Sequence, residues 1–316
     1  MDYFQLGNTG LKVSALCFGT LPMGPLQSNL PVAEGGQLIL DALRQGVNFI
    51  DSAEMYQTYS HIRWALDRFD GPMVLATKSA AVQYQPMCAA IEQSLNELKR
   101  DWIDIFHLHA SRDSNPLINR EEALQAILDY KAKGYIKCSG LATHSVKAVR
   151  QAAADPRIDV VFPIINRTGL GILEGGTTEM IEAIRLVQAT GKGVYAMKAF
   201  GGGNLLADLE LNLKFVRETV GLPVVAVGMI HPDELKTNLG LFAGMPLTED
   251  YRVSLRRRHK KAIVLKPHCK GCGRCRESCH SQAITLIAGK AVIDPDKCLL
   301  CGYCSQACPQ FAIRVI

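Results

Sequence analysis

The feature that most constrains this chain is a group of eight cysteines within its last fifty residues. The chain has eleven cysteines in 316 residues; three are scattered singly, and the other eight fall between residues 269 and 308. They form two runs of the spacing C-x2-C-x2-C-x3-C, 29 residues apart: Cys269, Cys272, Cys275 and Cys279, then Cys298, Cys301, Cys304 and Cys308. The clustering and the repeat predict a small separate module that arose by duplication.

The spacing predicts two [4Fe–4S] clusters. Three cysteines in a tight loop can bind three corners of an Fe4S4 cube, and the fourth cysteine of each run ligates the other cluster. A zinc ribbon is the alternative. However, four-coordinate structural zinc uses paired cysteines, so the third cysteine of each run would have no metal to bind. The predicted ligand sets are Cys269, Cys272, Cys275 and Cys308 for one cluster and Cys298, Cys301, Cys304 and Cys279 for the other. This segment resembles a bacterial two-cluster ferredoxin, except that His280 stands where a proline often follows the first run.

Composition and charge exclude several classes of protein. With 48% hydrophobic and 21% charged residues, the chain has the composition of an ordinary soluble globular protein. No stretch approaches the 18 apolar residues of a membrane span, and the first residues lack the basic-then-apolar order of a signal peptide, so we expect a cytoplasmic protein. The net charge of +5 equals the charge of one basic run at 256–261. A single basic run favours a linker or a docking patch for an acidic partner, and we expect no nucleic-acid partner.

The residues before the cysteines alternate strand-like and helix-like segments. After a hairpin with its turn at 7–10, eight β-rich segments are separated by amphipathic stretches such as 87–98 and 121–131. The predicted strands are 15–18, 47–50, 73–77, 103–108, 136–141, 160–164, 193–197 and 224–227. This pattern predicts a (β/α)8 TIM barrel, with a doubly wound open sheet as the alternative. We predict a barrel over 1–250, a basic linker over 251–265 and a small α+β ferredoxin-like domain over 266–316.

Four ionisable side chains follow three of the predicted strands. Asp51 and Tyr56 follow strand 47–50, Lys78 follows 73–77 and His109 follows 103–108. In a barrel these strand ends meet at one mouth, where the chemistry is found. A tyrosine titrates near ~10 and must be tuned to act as an acid, which a neighbouring ammonium can do by favouring the phenolate. We predict Tyr56 as general acid, Lys78 as the group that lowers its pKa, Asp51 as the anchor of Lys78, and His109 as a donor to the substrate oxygen.

The motifs around these residues resemble those of the aldo-keto reductase family. They are Asp51-Ser-Ala-Glu-Met-Tyr56, Leu75-Ala-Thr-Lys78, His107-Leu-His109 and the segment Gly193-Val-Tyr-Ala-Met-Lys-Ala-Phe-Gly-Gly-Gly203. The resemblance covers roughly residues 3–243, and the Asp/Tyr/Lys/His tetrad is complete. It implies a barrel and reversible, nicotinamide-dependent reduction of the carbonyl group of a small molecule.

The family's cofactor contacts are only partly present. Thr143 and Phe162 stand where the family usually has a Ser-Asn pair and a Gln, Met197 replaces the stacking aromatic, and Glu234 replaces an Arg that meets the NADP 2′-phosphate. Backbone N–H groups of a triple glycine beyond the seventh strand can bind phosphate. The candidate cofactor-binding residues are Thr143, His144, Asn166, Gly201, Gly202, Gly203 and Asn238. Either NAD(P)H or a flavin could bind the barrel.

Three functions are compatible with this combination. A cluster transfers one electron at a time, whereas a nicotinamide carries a hydride, so a flavin or a substrate that accepts two successive electrons must join them. The first function is an iron–sulfur oxidoreductase acting on a carbonyl compound and connected through its ferredoxin-like domain to a redox partner protein. The second is an NAD(P)H-dependent carbonyl reductase with a structural or regulatory iron–sulfur tail. The third is an electron-transfer subunit whose barrel no longer catalyses a reaction.

Overall fold

The larger part of the molecule is a curled parallel sheet surrounded by helices. The computed structural model describes residues 1–248, 261–310 and 312–315, so the basic run at 256–260 and most of the predicted linker lie outside the described residues. The sheet is preceded by an antiparallel hairpin of β1 (Tyr3–Gln5) and β2 (Lys12–Ser14). Its eight strands are β3 (Leu16–Gly19), β4 (Phe49–Asp51), β5 (Val74–Ser79), β6 (Ile103–His109), β7 (Ile136–Thr143), β8 (Val160–Pro163), β9 (Gly193–Val194) and β10 (Val225–Gly228).

The strand order confirms the barrel. Strands β3 to β9 pair in chain order, and β10 pairs with β3. A bridge between Ala196 and Val225 joins the two edges, with backbone N···O distances of 3.0 and 2.9 Å on either side. A doubly wound sheet would instead reverse its order near the middle. All strand pairs of this sheet are parallel, so the strand ends that carry Asp51, Lys78 and His109 lie at the same edge.

Amphipathic helices cover the outside of the sheet. In the first of them, apolar residues recur at helical spacing and pack on the strands, Glu34 lies in the first turn and Arg44 in the last, which suits the helix dipole. The helices of the barrel are α1 (Val32–Arg44), α2 (Tyr59–Leu66), α3 (Tyr84–Leu98), α4 (Pro116–Asn119), α5 (Glu121–Ala132), α6 (Val146–Ala154), α7 (Thr177–Ala189), α8 (Leu209–Lys214) and α9 (Pro232–Phe242).

The hairpin closes one end of the barrel. Leu6 and Val13 pack with inward-facing strand residues such as Phe49 and Val160. The backbone N–H of Asn8 donates to Gly191 O at 2.7 Å, just before β9 begins. Because the hairpin occupies the end where the strands start, the opposite end is the one available to a ligand.

The cysteine-rich segment forms a small domain of short elements. Strand β11 (Ala262–Val264), which lies within the predicted linker, pairs with β14 (Ile313–Val315), and β12 (Ile284–Ile287) pairs with β13 (Lys290–Ile293). One-turn helices α10 (Arg274–Glu277) and α11 (Tyr303–Gln306) lie within the two cysteine runs. Half of the buried core residues of this domain are cysteines, so its aliphatic core is very small.

Candidate active site and cluster-binding domain

An ion pair fixes two of the predicted catalytic residues at the open end of the barrel. The Lys78 ammonium donates to Asp51 Oδ2 at 2.7 Å and to the Ser52 carbonyl at 2.6 Å, and Lys78 is 1% exposed. Strands β4 and β5 are neighbours, which brings the two side chains together. Burial raises the pKa of Asp51, whereas Lys78 and a hydrogen bond from Tyr195 oppose the rise. The pair therefore has a fixed geometry away from water.

Tyr56 lies beside this pair on the short 3₁₀ turn Glu54–Tyr56, which follows β4. The Lys78 ammonium is 4.9 Å from the centre of the Tyr56 ring, and Tyr56 is 7% exposed. Burial raises the pKa of Tyr56 well above its usual value, with neighbouring Tyr303 and Asp51 adding to the rise, and the role of Lys78 in lowering this pKa stays a prediction. Tyr56 is thus a neutral phenol that holds its proton until negative charge develops nearby.

His109 completes the predicted set. Its ring lies edge-on to Tyr56, with 6.1 Å between ring centres. Burial lowers the pKa of His109 well below its usual value, and the charge of Lys78 lowers it further, so the imidazole is neutral. The structure thus brings Asp51, Tyr56, Lys78 and His109 together. Two neutral donors on one side of a buried cation can stabilise negative charge on a substrate oxygen.

Sequence reasoning missed Tyr195, which extends the hydrogen-bond network inside the barrel. The Tyr195 hydroxyl donates to Asp51 Oδ1 at 3.0 Å and lies 2.8 Å from His107 Nε2. Its ring stacks on Phe162 with 3.9 Å between ring centres. Both carboxylate oxygens of Asp51 are therefore hydrogen-bonded, one by Lys78 and one by Tyr195. Side chains alternate between the two faces of the predicted strand 193–197. This alternation is the signal that could have placed the Tyr195 side chain inside the barrel.

The small domain packs directly on the open end of the barrel. Tyr303, from the second cysteine run, forms a buried group with Leu26, Ala53 and Tyr56. The Tyr303 hydroxyl is close enough to Tyr56 to raise the pKa of Tyr56. The preceding residue, Gly302, has φ of 83°, and a Cβ there would lie 1.9 Å from the Leu26 carbonyl oxygen. The close approach requires glycine, so the contact between the two parts is tight.

His280 also reaches this mouth from the small domain. Its ring centre lies 4.4 Å from that of Tyr303 and 6.2 Å from that of His144, and Tyr303 lies 6.4 Å from His109. The sequence shows only that Tyr303 and His280 adjoin cluster-binding cysteines. Nothing in it indicates that the small domain lies on the catalytic residues.

The triple glycine predicted for phosphate binding is part of the contact between the domains. A Cβ on Gly202 would lie 2.0 Å from the Leu299 carbonyl oxygen, and Asn204 donates to the Cys298 carbonyl oxygen at 2.6 Å. Gly201 and Gly203 have positive φ in the same turn. These contacts cover the turn where the pyrophosphate of a dinucleotide would lie, so the residues present do not fit that group well.

The remaining cofactor candidates make local contacts. The Thr143 hydroxyl donates to the Ala110 carbonyl at 3.2 Å. Asn166 donates to the Leu170 carbonyl at 2.9 Å, and Asn238 donates to the Glu234 carbonyl one turn earlier in α9 at 2.8 Å. The structure does not bring these three amide or hydroxyl groups to a common point with the catalytic residues. His144 does lie at the mouth, beside His280.

The eight cysteines line two pockets in the small domain. Cys269, Cys272, Cys275 and Cys308 line the first, and Cys279, Cys298, Cys301 and Cys304 line the second. Each set takes three cysteines from one run and the fourth from the other, which is the crosswise arrangement of two-cluster ferredoxins. Within the described residues, no three His, Cys, Asp or Glu side chains converge on a point suited to a single metal ion. The donor sets fit Fe4S4 cubes better than isolated zinc ions.

Backbone groups are arranged around several of these sulfurs. The N–H groups of Ala291, Ala283 and Ala312 donate to Cys269, Cys279 and Cys308 Sγ at 3.4, 3.2 and 3.3 Å. Backbone hydrogen bonds lower the pKa of Cys269, which favours the thiolate that binds iron. N–H···S bonds also influence the potential of a bound cluster.

Family comparisons agree with this two-part architecture. The model of the aldo/keto reductase family matches residues 15–219, and that of the 4Fe-4S dicluster domain matches residues 268–312. The chain belongs to the aldo/keto reductase family. It is an oxidoreductase with a C-terminal 4Fe-4S dicluster domain, as the sequence motifs predicted.

Curated relatives of this aldo/keto reductase share modest identity with it. L-galactose dehydrogenase of Arabidopsis thaliana is 30% identical over 174 residues, which are 50% of this chain and 54% of that protein. Protein tas of Escherichia coli strain K12 is 23% identical over 322 residues, covering 76% of this chain and 92% of the relative. The chain spans about half the length of two Arabidopsis thaliana relatives that it matches, L-galactose dehydrogenase and a probable voltage-gated potassium channel subunit beta.

Solved aldo-keto reductases share the fold. AKR11C1 from Bacillus halodurans superposes with a TM-score of 0.64 at 20% identity, covering 81% of this chain and 96% of that one. A Bombyx mori aldo-keto reductase in complex with NADP superposes with a TM-score of 0.61 at 17% identity, covering 81% of this chain and 92% of that chain. Among the described helices of this chain, none is long and apolar enough to cross a membrane.

Proposed function

We propose that this protein is an iron–sulfur oxidoreductase whose barrel site acts on a small carbonyl compound and whose dicluster domain exchanges electrons with a redox partner protein. One observation carries the proposal: Cys301, a predicted cluster ligand, packs against the buried group that contains Tyr56 and Tyr303. The Cys301 thiolate is also close enough to influence the pKa of Tyr56. A domain with only a structural role has no need to place a cluster ligand beside the catalytic tyrosine.

The residues at the mouth suit reduction of a carbonyl to an alcohol, or the reverse. When bound, two [4Fe–4S] clusters supply or accept electrons one at a time, and this reaction takes two electrons and two protons. Tyr56 gives its proton to the carbonyl oxygen as negative charge develops there, and His109 donates a second hydrogen bond to that oxygen. Lys78, held by Asp51, stabilises the phenolate left on Tyr56. Solvent is the net source of both protons.

The contacts on the triple glycine support electron entry through the small domain. Leu299 and Cys298, which belong to the second cysteine run, cover Gly202 and Asn204. The same turn would serve a dinucleotide in a barrel of this type. We therefore propose no step through a dinucleotide.

Single-turnover kinetics tests this function. Anaerobically reconstituted protein, with iron and sulfide counted, is reduced with dithionite, freed of excess reductant and mixed with aldehydes, ketones and 2-oxo acids without NAD(P)H. We expect at least one substrate to reoxidise the clusters, as followed by visible absorbance. Tyr56→Phe should slow this step about 10²-fold or more, because it removes the general acid. Tyr135→Phe, at an exposed tyrosine far from the mouth, is the matched control.

Two outcomes would contradict the proposal. Equal reoxidation rates for the wild type and Tyr56→Phe, with intact clusters in both, would remove the barrel site from the reaction. Turnover that needs NADPH and continues after the clusters are lost would instead favour a nicotinamide-dependent carbonyl reductase with a structural tail.

A further inference from the structure

Three basic side chains at the mouth have no role in the proton transfer described above: Lys198, His144 and His280. Lys198 follows β9, and its φ of 58° is unusual for a residue other than glycine. His144 follows β7, and His280 comes from the small domain. His144 and His280 lie with 6.2 Å between their ring centres. The set therefore contains groups from both domains, beside the catalytic residues.

These imidazoles are buried with unused hydrogen-bonding capacity. His144 is 2% exposed and His109 is 7% exposed. The Nδ1 atoms of His109, His144 and His280 have no hydrogen-bond partner in the described part of the chain. An unsatisfied buried polar atom costs about 1–3 kcal/mol. Three such atoms around one mouth indicate a place where a polar ligand binds.

The charge around these rings is positive. Burial is the main cause that lowers the pKa values of His109 and His144, and the charge of Lys198 adds to the decrease for both. No carboxylate is among the main causes of these two shifts. Among the described residues, none forms an ion pair or hydrogen bond with the Lys198 ammonium.

We propose that Lys198, His144 and His280 bind a carboxylate of the substrate, so that the substrate is a small 2-oxo acid. Its carbonyl would lie at Tyr56 and His109, and its carboxylate at the neighbouring basic groups. This inference rests on the proposed function for the position of the carbonyl. An ammonium and imidazole N–H groups are suitable donors to an oxyanion. Ring-centre distances of 6.4, 4.4 and 6.2 Å connect His109, Tyr303, His280 and His144 in that order, so the proposed carboxylate site adjoins the carbonyl site.

Two other anions could explain Lys198. One is the bound cluster, because Lys198 and the thiolate of Cys301 are close enough to influence each other's pKa. The other is a dinucleotide pyrophosphate, because Lys198 precedes the triple glycine. The substrate carboxylate is favoured because His109 and His144, whose Nδ1 atoms have no partner in the described part of the chain, lie at strand ends of the barrel, and because Leu299 covers Gly202.

Calorimetry on the reconstituted holoprotein tests the site without turnover. Oxalate, which contains the planar carboxylate and adjacent carbonyl of a 2-oxo acid and carries one additional negative charge, is the probe, and uncharged oxamide is its matched analogue. We expect Lys198→Met to weaken oxalate binding at least tenfold and to leave oxamide binding unchanged. Lys198→Arg should retain most of the affinity for oxalate. Lys147→Met, at an exposed lysine on α6, should have no effect.

Three results would overturn the inference. The first is unchanged oxalate affinity in Lys198→Met protein with full iron content. The second is an altered midpoint potential of one cluster with unchanged oxalate affinity, which would make Lys198 a counter-charge of that cluster only. The third is that inorganic pyrophosphate binds more tightly than oxalate and loses its affinity in the same variant. If Lys198→Met fails to fold, His144→Gln tests the same prediction. Because binding needs no turnover, these results are independent of the Tyr56→Phe test.

Discussion

At the scale of single residues, the hydroxyl groups of Tyr56 and Tyr303 form the direct connection between the catalytic site and the cluster-binding domain. Tyr303 is 6% exposed, and it packs with Tyr56 in one buried group and influences the pKa of Tyr56. Replacing Tyr303 with Phe keeps its packing and removes the hydroxyl that can hydrogen-bond Tyr56. We expect kcat to fall about tenfold, the effect of one hydrogen bond near 1.4 kcal/mol, with KM and iron content little changed.

A double variant separates positioning from packing. If Tyr303 acts by orienting the acid, Tyr303→Phe should have no further effect on kcat in a Tyr56→Phe background, because the group it orients is gone. Additive losses, or a loss of iron in the single variant, would show that Tyr303 only holds the domain in place.

At the scale of elements, Gly302 in the second cysteine run determines how closely the domains meet, and Gly289, in the turn between β12 and β13, is its matched control. Gly302 has φ of 83° and lies against the Leu26 carbonyl, whereas Gly289 has φ of 69° and open space around its Cβ position. Gly302→Ala adds both backbone strain and a clash, and Gly289→Ala adds only the strain. We expect Gly302→Ala to keep both clusters but to slow cluster reoxidation by substrate at least tenfold.

Hydrogen exchange of backbone amides measures whether the contact between the domains has loosened in these variants. Amides around Leu26 should exchange faster in Gly302→Ala than in wild-type protein, because the mouth is no longer covered. The Gly289→Ala protein should resemble the wild type in both exchange and reoxidation. Equal behaviour of the two variants would contradict the tight contact between the domains.

The sequence predicted the elements of the barrel well because their signals are local. Alternating apolar segments gave all eight strands, and the rule that strand ends converge placed Asp51, Lys78 and His109 together. The contact between the domains depends on surfaces that are far apart in the chain, such as Leu26 with Gly302, and no local pattern encodes it. The raised pKa of Tyr56 has the same kind of origin, since its burial and its proximity to Tyr303 are tertiary effects.

At the scale of the whole molecule, buried neutral histidines should make the barrel sensitive to mild acid. Burial lowers the pKa values of His107, His109 and His144 well below 6.5 in the folded state. Below pH 6.5 the unfolded chain therefore binds protons that the folded barrel does not, and stability falls as the pH falls. Each histidine contributes up to about 1.4 kcal/mol per pH unit.

The melting temperature should thus decrease between pH 7.5 and 5.5. Fluorescence of Trp64 and Trp102 follows it, because both tryptophans of the chain belong to the barrel. His107→Gln should reduce the pH dependence by about one third. The raised pKa of Asp51 acts in the opposite direction, since its proton is bound more tightly in the folded state. A melting temperature that is constant over this range would contradict the prediction.

Removal of iron should affect the two parts of the molecule differently. The barrel has an extensive apolar core of its own, whereas the buried core of the small domain is half cysteine: Cys269, Cys275, Cys279, Cys304 and Cys308, with Ala283, Ile284, Ala291, Ala312 and Ile313. Without the clusters these thiolates repel one another, and so small a domain lacks the burial to stay folded.

We expect an iron chelator under reducing conditions to unfold the small domain while the barrel remains folded. Far-UV circular dichroism should then lose a small part of its signal, tryptophan emission should stay native, and the mouth around Tyr56 should open to solvent. Because burial keeps the pKa of Tyr56 high, its phenol should titrate closer to pH 10 after the loss of Tyr303 from the mouth, which ultraviolet difference spectra can follow. An unaltered Tyr56 titration in iron-free protein would mean that the small domain stays in contact with the barrel without its clusters.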